Sequence, residues 1–417
     1  MNEIEISKEI LIKIVVQKIP FNLAIRNSFK NYKLEPKTKG NVSALIGCEL
    51  RHHFLFDNLI ERYFDEVEFE KTIYLRFLLS NQLFLHRFSN LDIYTKVVEE
   101  LPRENVDILL EFVKSTNEII PTELDKSSPE FLSLRFNTPA WVIRMWQNQF
   151  GKGLVFKILK ANYHKSIPSV RVNEKLITAD EIINKYPDFS KSIVENILVF
   201  QGKGTPKNLE EFKNNKIFFM KMATKFLLDK LEIEPLKGIA LFSEVPNNIY
   251  LDLVVRFGNN VSADLIINNT QSYFETKKCI ENYGYTGLSV YNAPSSSLVT
   301  CVSKKVNTMF CLPKNTSLDH LRSTPDYFLR VNQEDLDGLI ASEKSALEES
   351  ASLVEVNGRV VYMVPTISKK ESSTLIGDFL YHHPEFELVE EKQIFPFEEF
   401  DSCLYYAILK RIGEESD

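Results

Sequence analysis

The stretch Gly358-Arg359-Val360-Val361-Tyr362-Met363-Val364-Pro365-Thr366-Ile367-Ser368, continued by Lys369-Lys370-Glu371-Ser372, decides how this chain is read. A turn glycine precedes an unbroken apolar run, Val360 to Val364, which is the pattern of a strand buried on both faces. The polar residues that follow read as a loop opening a helix. In an α/β sheet, reactive side chains sit in the loop at the carboxyl end of such a strand. Here that loop begins with Pro365, which offers neither a nucleophile nor a titratable group.

Working outward, strand and helix patterns alternate from about residue 211. Met222 to Leu228 has helical periodicity, and Gly238 to Phe242 is a short apolar strand ending near Pro246-Asn247-Asn248. Ala263 to Ile267 is the next strand, with a helix running to Tyr283-Gly284. Ser289 to Tyr291 and Thr308 to Leu312 follow, and a helix from Glu343 to Val354 leads back to the opening stretch. Phe386 to Val389 and Leu404 to Leu409 form a closing hairpin. Successive βα units predict a doubly wound, mostly parallel sheet.

Residues 1–125 read as all-helical. Apolar residues recur at three- and four-residue steps from Val42 through Leu50, Phe54 to Phe56, Leu59-Ile60 and Tyr63-Phe64. Ile73 to Leu79 and Leu83 to Leu85 are apolar on more than one side, which predicts a central position. Leu101-Pro102 and Ile120-Pro121 punctuate the helices.

Residues 126–210 mix helix and strand. Thr138 is placed to cap a helix with Pro139 at its first position, Pro168 to Asn173 reads as a strand, and Thr178-Ala179-Asp180-Glu181 as a helix start. The whole chain of 417 residues has a formal charge of −7. Yet Phe131 to Asn173 holds seven cations (Arg135, Arg144, Lys152, Lys157, Lys160, Lys165, Arg171) and no Asp or Glu, leaving −14 elsewhere. Interleaved with them are Phe131, Phe136, Trp141, Trp146, Phe150, Phe156 and Tyr163. A concentrated positive stretch suits phosphate binding, with affinity growing per charge neutralised. Most of the aromatics are expected in the core, with some available to stack on bases.

The five cysteines are scattered and unpaired by motif, which predicts neither a disulfide framework nor a zinc site. No apolar run reaches about 18 residues, so no membrane span is expected. Charged residues interrupt the first ten positions, which predicts no secretory leader and a cytoplasmic location. Adjacent His52-His53 and His382-His383 lack the one-face spacing of a helical metal site. Gly202-Lys203-Gly204-Thr205 lacks the spacing of a phosphate loop.

Several stretches together resemble the bacterial 16S rRNA cytosine-C5 methyltransferases of the RsmB (Fmu/Sun) type. Ser133-Leu134-Arg135-Phe136-Asn137-Thr138-Pro139-Ala140-Trp141-Val142 is similar to the family's SLRxxxPxWL segment. Ala161-Asn162-Tyr163 through Ser169-Val170-Arg171-Val172-Asn173 resembles ANN…LTLRVN, and Gln201 to Met220 the lead-in to the catalytic domain. Arg322-Ser323-Thr324-Pro325-Asp326 through Arg330 resembles RRxPD…R. Tyr381-His382-His383-Pro384-Glu385-Phe386-Glu387-Leu388 resembles HHPxFEL, and Tyr406-Ala407 the terminal FYAxL strand. The resemblance covers nearly the whole chain. It implies a NusB-like helical domain (1–125), a small α+β RNA-binding module (126–210), a Rossmann-like S-adenosylmethionine methyltransferase domain (211–413) and a short tail (414–417).

The family's reaction uses a cysteine thiolate that adds to cytosine C6, and a second cysteine that assists product release. By the resemblance, the first stands at Pro365 and the second at Lys314, with Cys311 in place of the family's aspartate. The cofactor loop maps onto Leu241 to Tyr250, where Pro246 is kept and Asn247-Asn248 replace two glycines. Asparagine tolerates a positive φ, so that turn is expected to survive. The carboxylates for the ribose and the adenine fall at Ile267 and near Asn292-Ala293, with Asp264 three residues early.

The expectation is therefore a catalytically inactive, RNA-binding member of this family, monomeric, with rRNA or a ribosomal subunit as partner and no metal or cofactor. RNA contacts are expected at Arg135, Arg144, Lys152, Lys157, Lys160, Lys165, Arg171 and Asn173. Two alternatives stand beside it. One is an active enzyme with a rearranged S-adenosylmethionine site using Cys311, and the other a protein-interaction scaffold built on the helical domain.

Overall fold

The computed structural model describes residues 2–116, 118–164, 166–317, 322 and 324–413. Lys165 and the 414–417 tail therefore lie outside the described residues. The chain forms two compact units: Met1–His164 with Leu321–Asn332, and Lys165–His320 with Gln333–Asp417. Of the residues 126–210 expected as one module, the three helices up to Tyr163 fall in the first unit, and the strands with helix Ala179–Lys185 in the second.

The first unit is helical. Helix Phe69–Ser80 is buried at every position from Thr72 to Ser80, as its all-round apolar pattern requires. Helices Glu3–Val15, Pro36–Arg51, His53–Glu61 and Arg103–Ser115 turn apolar faces toward the same core, which includes Leu45, Phe56, Phe77 and Leu109. Arg76, almost wholly buried, is held by Glu49 at 3.3 Å and by Asp57. His53 meets Glu49 at 2.7 Å, so the histidine pair serves packing, and the described residues contain no cluster of metal-ligating side chains.

Asn137, in the left-handed conformation (φ 49°), ends helix Pro129–Phe136. Its side chain donates to the Leu50 carbonyl at 2.7 Å and accepts from the Phe54 amide at 3.1 Å. Thr138 does not cap the next helix. Its hydroxyl donates to the Phe136 carbonyl at 3.3 Å, and Ala140–Phe150 starts after Pro139 without a side-chain cap. The segment around Asp326 packs in this unit although it interrupts the strand–helix region in sequence. Fully buried Asp326 accepts from the Phe21 amide at 3.0 Å and pairs with Arg330 at 2.6 Å.

The second unit holds two sheets. The smaller contains β1 (Ser169–Val172), β2 (Phe189–Lys191), β3 (Ile197–Phe200) and β4 (Ile217–Phe219), ordered β2-β3-β1-β4 and antiparallel throughout. The capping box at Thr178 and Glu181 forms as the sequence predicts. The larger sheet contains β5 (Ile239–Ser243), β6 (Ala263–Ile267), β7 (Leu288–Tyr291), β8 (Val306–Leu312), β9 (Val354–Val364), β10 (Phe386–Ile394) and β11 (Leu404–Arg411). Its order is β10-β11-β9-β8-β5-β6-β7. Strands β5 to β9 pair in parallel, and β11 is antiparallel to both neighbours. This is the Rossmann-like methyltransferase arrangement, with its switch point between β5 and β8, where the chain leaves the centre in opposite directions.

The opening stretch is the β9 strand, with one correction. Gly358 is inside the strand, at a bulge where Val306–Thr308 of β8 faces Val354–Arg359. The left-handed residue there is Asn357 (φ 68°). Gly358 is needed for close approach: a Cβ on it would lie 2.8 Å from the Asn307 carbonyl oxygen.

Candidate functional site

The carboxyl ends of β5, β6, β8 and β9 form one edge, and the sequence-predicted catalytic and cofactor positions gather there. Pro365 directly follows β9, Lys314 lies two residues beyond β8, and Ile267 ends β6. Cys311 is inside β8, fully buried, with Sγ 3.6 Å from the Ala346 carbonyl of helix Gln333–Ser352. Burial pushes its thiol up to about 12, so it is a neutral packing group that faces a helix.

The loop after β5 is built differently from a glycine turn. Neither Asn247 nor Asn248 takes a positive φ, contrary to expectation. The Asn247 side chain instead donates to Ser243 Oγ at 2.9 Å and accepts from the Ile249 amide at 3.2 Å. Asn248 Nδ2 donates to the Phe219 carbonyl at 2.8 Å. The side-chain amides thus replace the flexibility of glycine with a hydrogen-bonded closure.

Glu244 was not singled out by the sequence. Its carboxylate spans the switch point. One oxygen accepts from Asn268 Nδ2 at 2.7 Å, at the end of β6, and the other from the Lys314 amide at 2.9 Å, after β8. This bridge puts negative charge and side-chain volume across the crevice where dinucleotide-type ligands bind in such folds. Ile267 is buried, Asn268 is exposed, and Ala293 is half-buried, so neither expected acidic position supplies a carboxylate. Asp264 is half-buried mid-strand, opposite Ala240 and Ser289, with its carboxyl raised by burial. These residues do not match the donor set that holds S-adenosylmethionine in the family pattern.

The edge beside Pro365 is filled by a polar cluster. Glu371 accepts from the Thr316 amide at 2.8 Å, the Thr316 hydroxyl at 2.8 Å and the Thr366 hydroxyl at 2.6 Å. Tyr362 OH donates to the Glu371 backbone carbonyl at 3.1 Å. Glu343, wholly buried, faces this group, and neither of its oxygens meets a donor. Burial, then repulsion from Glu371, raises its carboxyl far above the usual range. Protonated, it donates to Glu371; ionised, both are acceptors and repel. A sequence signal existed: Glu343 occupies the first place of the buried stripe Glu343, Ala346, Leu347, Ser350 on its helix.

Of the cations expected to meet RNA, Arg135, Arg144, Lys152, Lys157 and Lys160 are exposed on three helices of the first unit. Arg144 pairs with Glu130 at 2.7 Å, just before the acid-free stretch, and Lys152 donates to Ser127 Oγ at 3.2 Å. Two others are corrected. Arg171 is 1% exposed, held by Asp252 at 2.8 Å and Glu174 at 2.6 Å, and donates to the Val172 carbonyl. Asn173 is buried and accepts from the Lys175 amide at 3.3 Å. Both fix the small sheet's surroundings and offer nothing to a ligand. Trp146 is buried as a core residue, whereas Phe156 and Tyr163 are exposed.

The chain is similar to known proteins along nearly all its length. It is 18% identical over 400 residues to the probable ribosomal RNA small subunit methyltransferase B of Bacillus subtilis (strain 168), covering 92% of this chain and 89% of the relative. Among solved structures, that of PH0851 superposes with a TM-score of 0.78 at 17% identity, covering 99% of both chains. A methyltransferase homologue from Pyrococcus horikoshii matches 69% of this chain and 100% of its own, with a TM-score of 0.58 at 13% identity. NSun6 from Pyrococcus horikoshii, in complex with SFG, matches 65% of this chain and 98% of its own, with a TM-score of 0.59 at 11% identity. No protein-family model matches the chain. No helix among the described residues is long and apolar enough to cross a membrane.

Proposed function

Because the chain is a relative, in sequence and fold, of the RsmB/Fmu/Sun-type rRNA cytosine-C5 methyltransferases, we propose that it is an RNA-binding protein that has lost methyl transfer. One feature supports this reading: the positions that the resemblance assigns to the family's two cysteines, after β9 and β8, hold no thiol. Pro365 and Lys314 stand there, and Cys311 is buried against a helix carbonyl. The exposed cations of the first unit supply the RNA affinity, with rRNA or a ribosomal subunit as the partner by analogy with the curated relative. The chain binds no S-adenosylmethionine in this reading, because Glu244 bridges the crevice.

The test is direct. Purified protein is incubated with rRNA and radiolabelled S-adenosylmethionine, and RNA retention at moderate salt is measured in parallel. Retention without label transfer is expected. Label transfer, or no retention of any RNA, refutes the proposal.

A second reading keeps cofactor binding. It is favoured by the SFG complex of a relative with the same fold. Calorimetry with S-adenosylmethionine separates the two, since saturable micromolar binding supports the second reading.

A further inference from the structure

The larger sheet has an open outer edge. Strand β10 stands last in the strand order and pairs with β11 alone. Among the described residues, the backbone of 387–393 makes no hydrogen bond except to that neighbour. Alternate residues along roughly 30 Å of strand therefore turn unmet amides and carbonyls outward, at 9 residues and about 3.4 Å each. Such a row is a template for a further strand.

The side chains along the edge say what fits it. The ladder slips by one residue between Leu388 and Glu390, so Val389 bulges out of the pairing and is 57% exposed. The same slip puts Glu387 and Glu390 on one face of the sheet, and Leu388 and Glu391 on the other. Glu387, Leu388 and Glu391 are exposed. Tyr405 OH donates to Glu391 and Tyr406 OH to Glu390, which fixes two of the carboxylates beside the edge. From Glu385 to Asp401 the chain carries seven acids and one lysine, Lys392, a net charge of −6. Antiparallel pairing of two β10 strands would set carboxylates against carboxylates, so the edge disfavours a second copy of itself. It repels phosphate for the same reason. An extended segment bearing cations is attracted instead, and Leu388 and Val389 accept apolar side chains set between those cations.

We propose that β10 docks a basic, extended segment of a partner protein, which adds to the seven-stranded sheet as a further edge strand. Backbone hydrogen bonds supply the affinity, and Glu387, Glu390 and Glu391 select the cations that lie beside them. Basic arms of this kind are found on proteins that bind nucleic acid. The inference stands on the edge alone and does not rest on the RNA-binding reading.

The experiment uses the full chain and a fluorescent peptide of alternating lysine and valine, capped at both ends. A control peptide of the same sequence is N-methylated at its central residues, which keeps the charge and removes the ladder donors. Each is titrated against the wild type, Glu387→Lys and Val389→Lys. Both positions are exposed, so the variants are expected to melt with the wild type. The expected result is saturable binding of the first peptide, weakened about fivefold or more by either substitution and by N-methylation. Equal binding of the two peptides overturns strand addition and leaves charge attraction alone. Peptide affinity indifferent to both substitutions, or no binding at all, overturns the docking edge. Sedimentation of the wild type as a dimer that Val389→Lys dissociates also overturns it, because a second copy then occupies β10.

Discussion

Glu371 accepts three hydrogen bonds from Thr316 and Thr366, while Glu343, buried against it, accepts none. The pair occupies the loop edge beside Pro365, where the family carries out its chemistry. A protonated Glu343 removes the repulsion that two buried charges would feel there.

That arrangement makes stability depend on pH. Glu343 has a folded pKa raised above its ordinary value of 4.5, so its contribution is fully present below about that pH. It is lost as pH rises toward the folded value, at up to about 1.4 kcal/mol per pH unit. Glu343→Gln keeps a donor toward Glu371 and removes the titration. Urea unfolding at pH 5 and pH 9 should show the variant gaining on the wild type as pH rises. An equal difference at both values would contradict a raised Glu343 carboxyl.

Arg171 predicts a structural defect and no direct effect on RNA binding. Arg171→Met leaves Asp252, itself wholly buried, without its closest charge partner. The expected cost is about 3–5 kcal/mol, as for a broken buried pair. Adding Asp252→Leu should recover much of it, since two apolar groups leave no buried charge. Denaturant midpoints of the single and double variants check this.

The exposed cations predict a different signature. Replacing Lys152, Lys157 and Lys160 together by Gln should leave the melting temperature nearly unchanged, because these side chains are exposed. RNA affinity should fall, and the slope of log K against log salt should flatten by about 0.7 for each phosphate that is no longer neutralised. Filter binding over a salt series reads both quantities.

Glu244 predicts the reverse of a damaging substitution. Glu244→Ala removes the bridge to Asn268 and Lys314 and leaves a small residue at the switch point. Binding of S-adenosylmethionine, undetectable by calorimetry in the wild type, should become saturable at millimolar or lower concentration in the variant. No change would mean that the crevice is closed by other groups.

The sequence by itself determined the sheet and the residue types at its strand ends. Unbroken apolar runs such as Val360 to Val364 can only be buried on both faces, and Pro365 cannot be a nucleophile in any fold. Period and chemical identity are local properties, legible without coordinates. What depended on distant partners was decided only by the tertiary structure. Arg171 reads in sequence as one more cation in an acid-free stretch, and it took the fold to set Asp252, eighty-one residues away, against its guanidinium. Glu244 and the Glu343–Glu371 pair were ordinary charged residues until strand ends and a helix brought them together. The segment around Asp326 likewise packs with the first unit because its carboxylate finds Phe21 there. Burial and pairing energies depend on what surrounds a side chain, and that is fixed by the folded neighbours rather than by the residue itself.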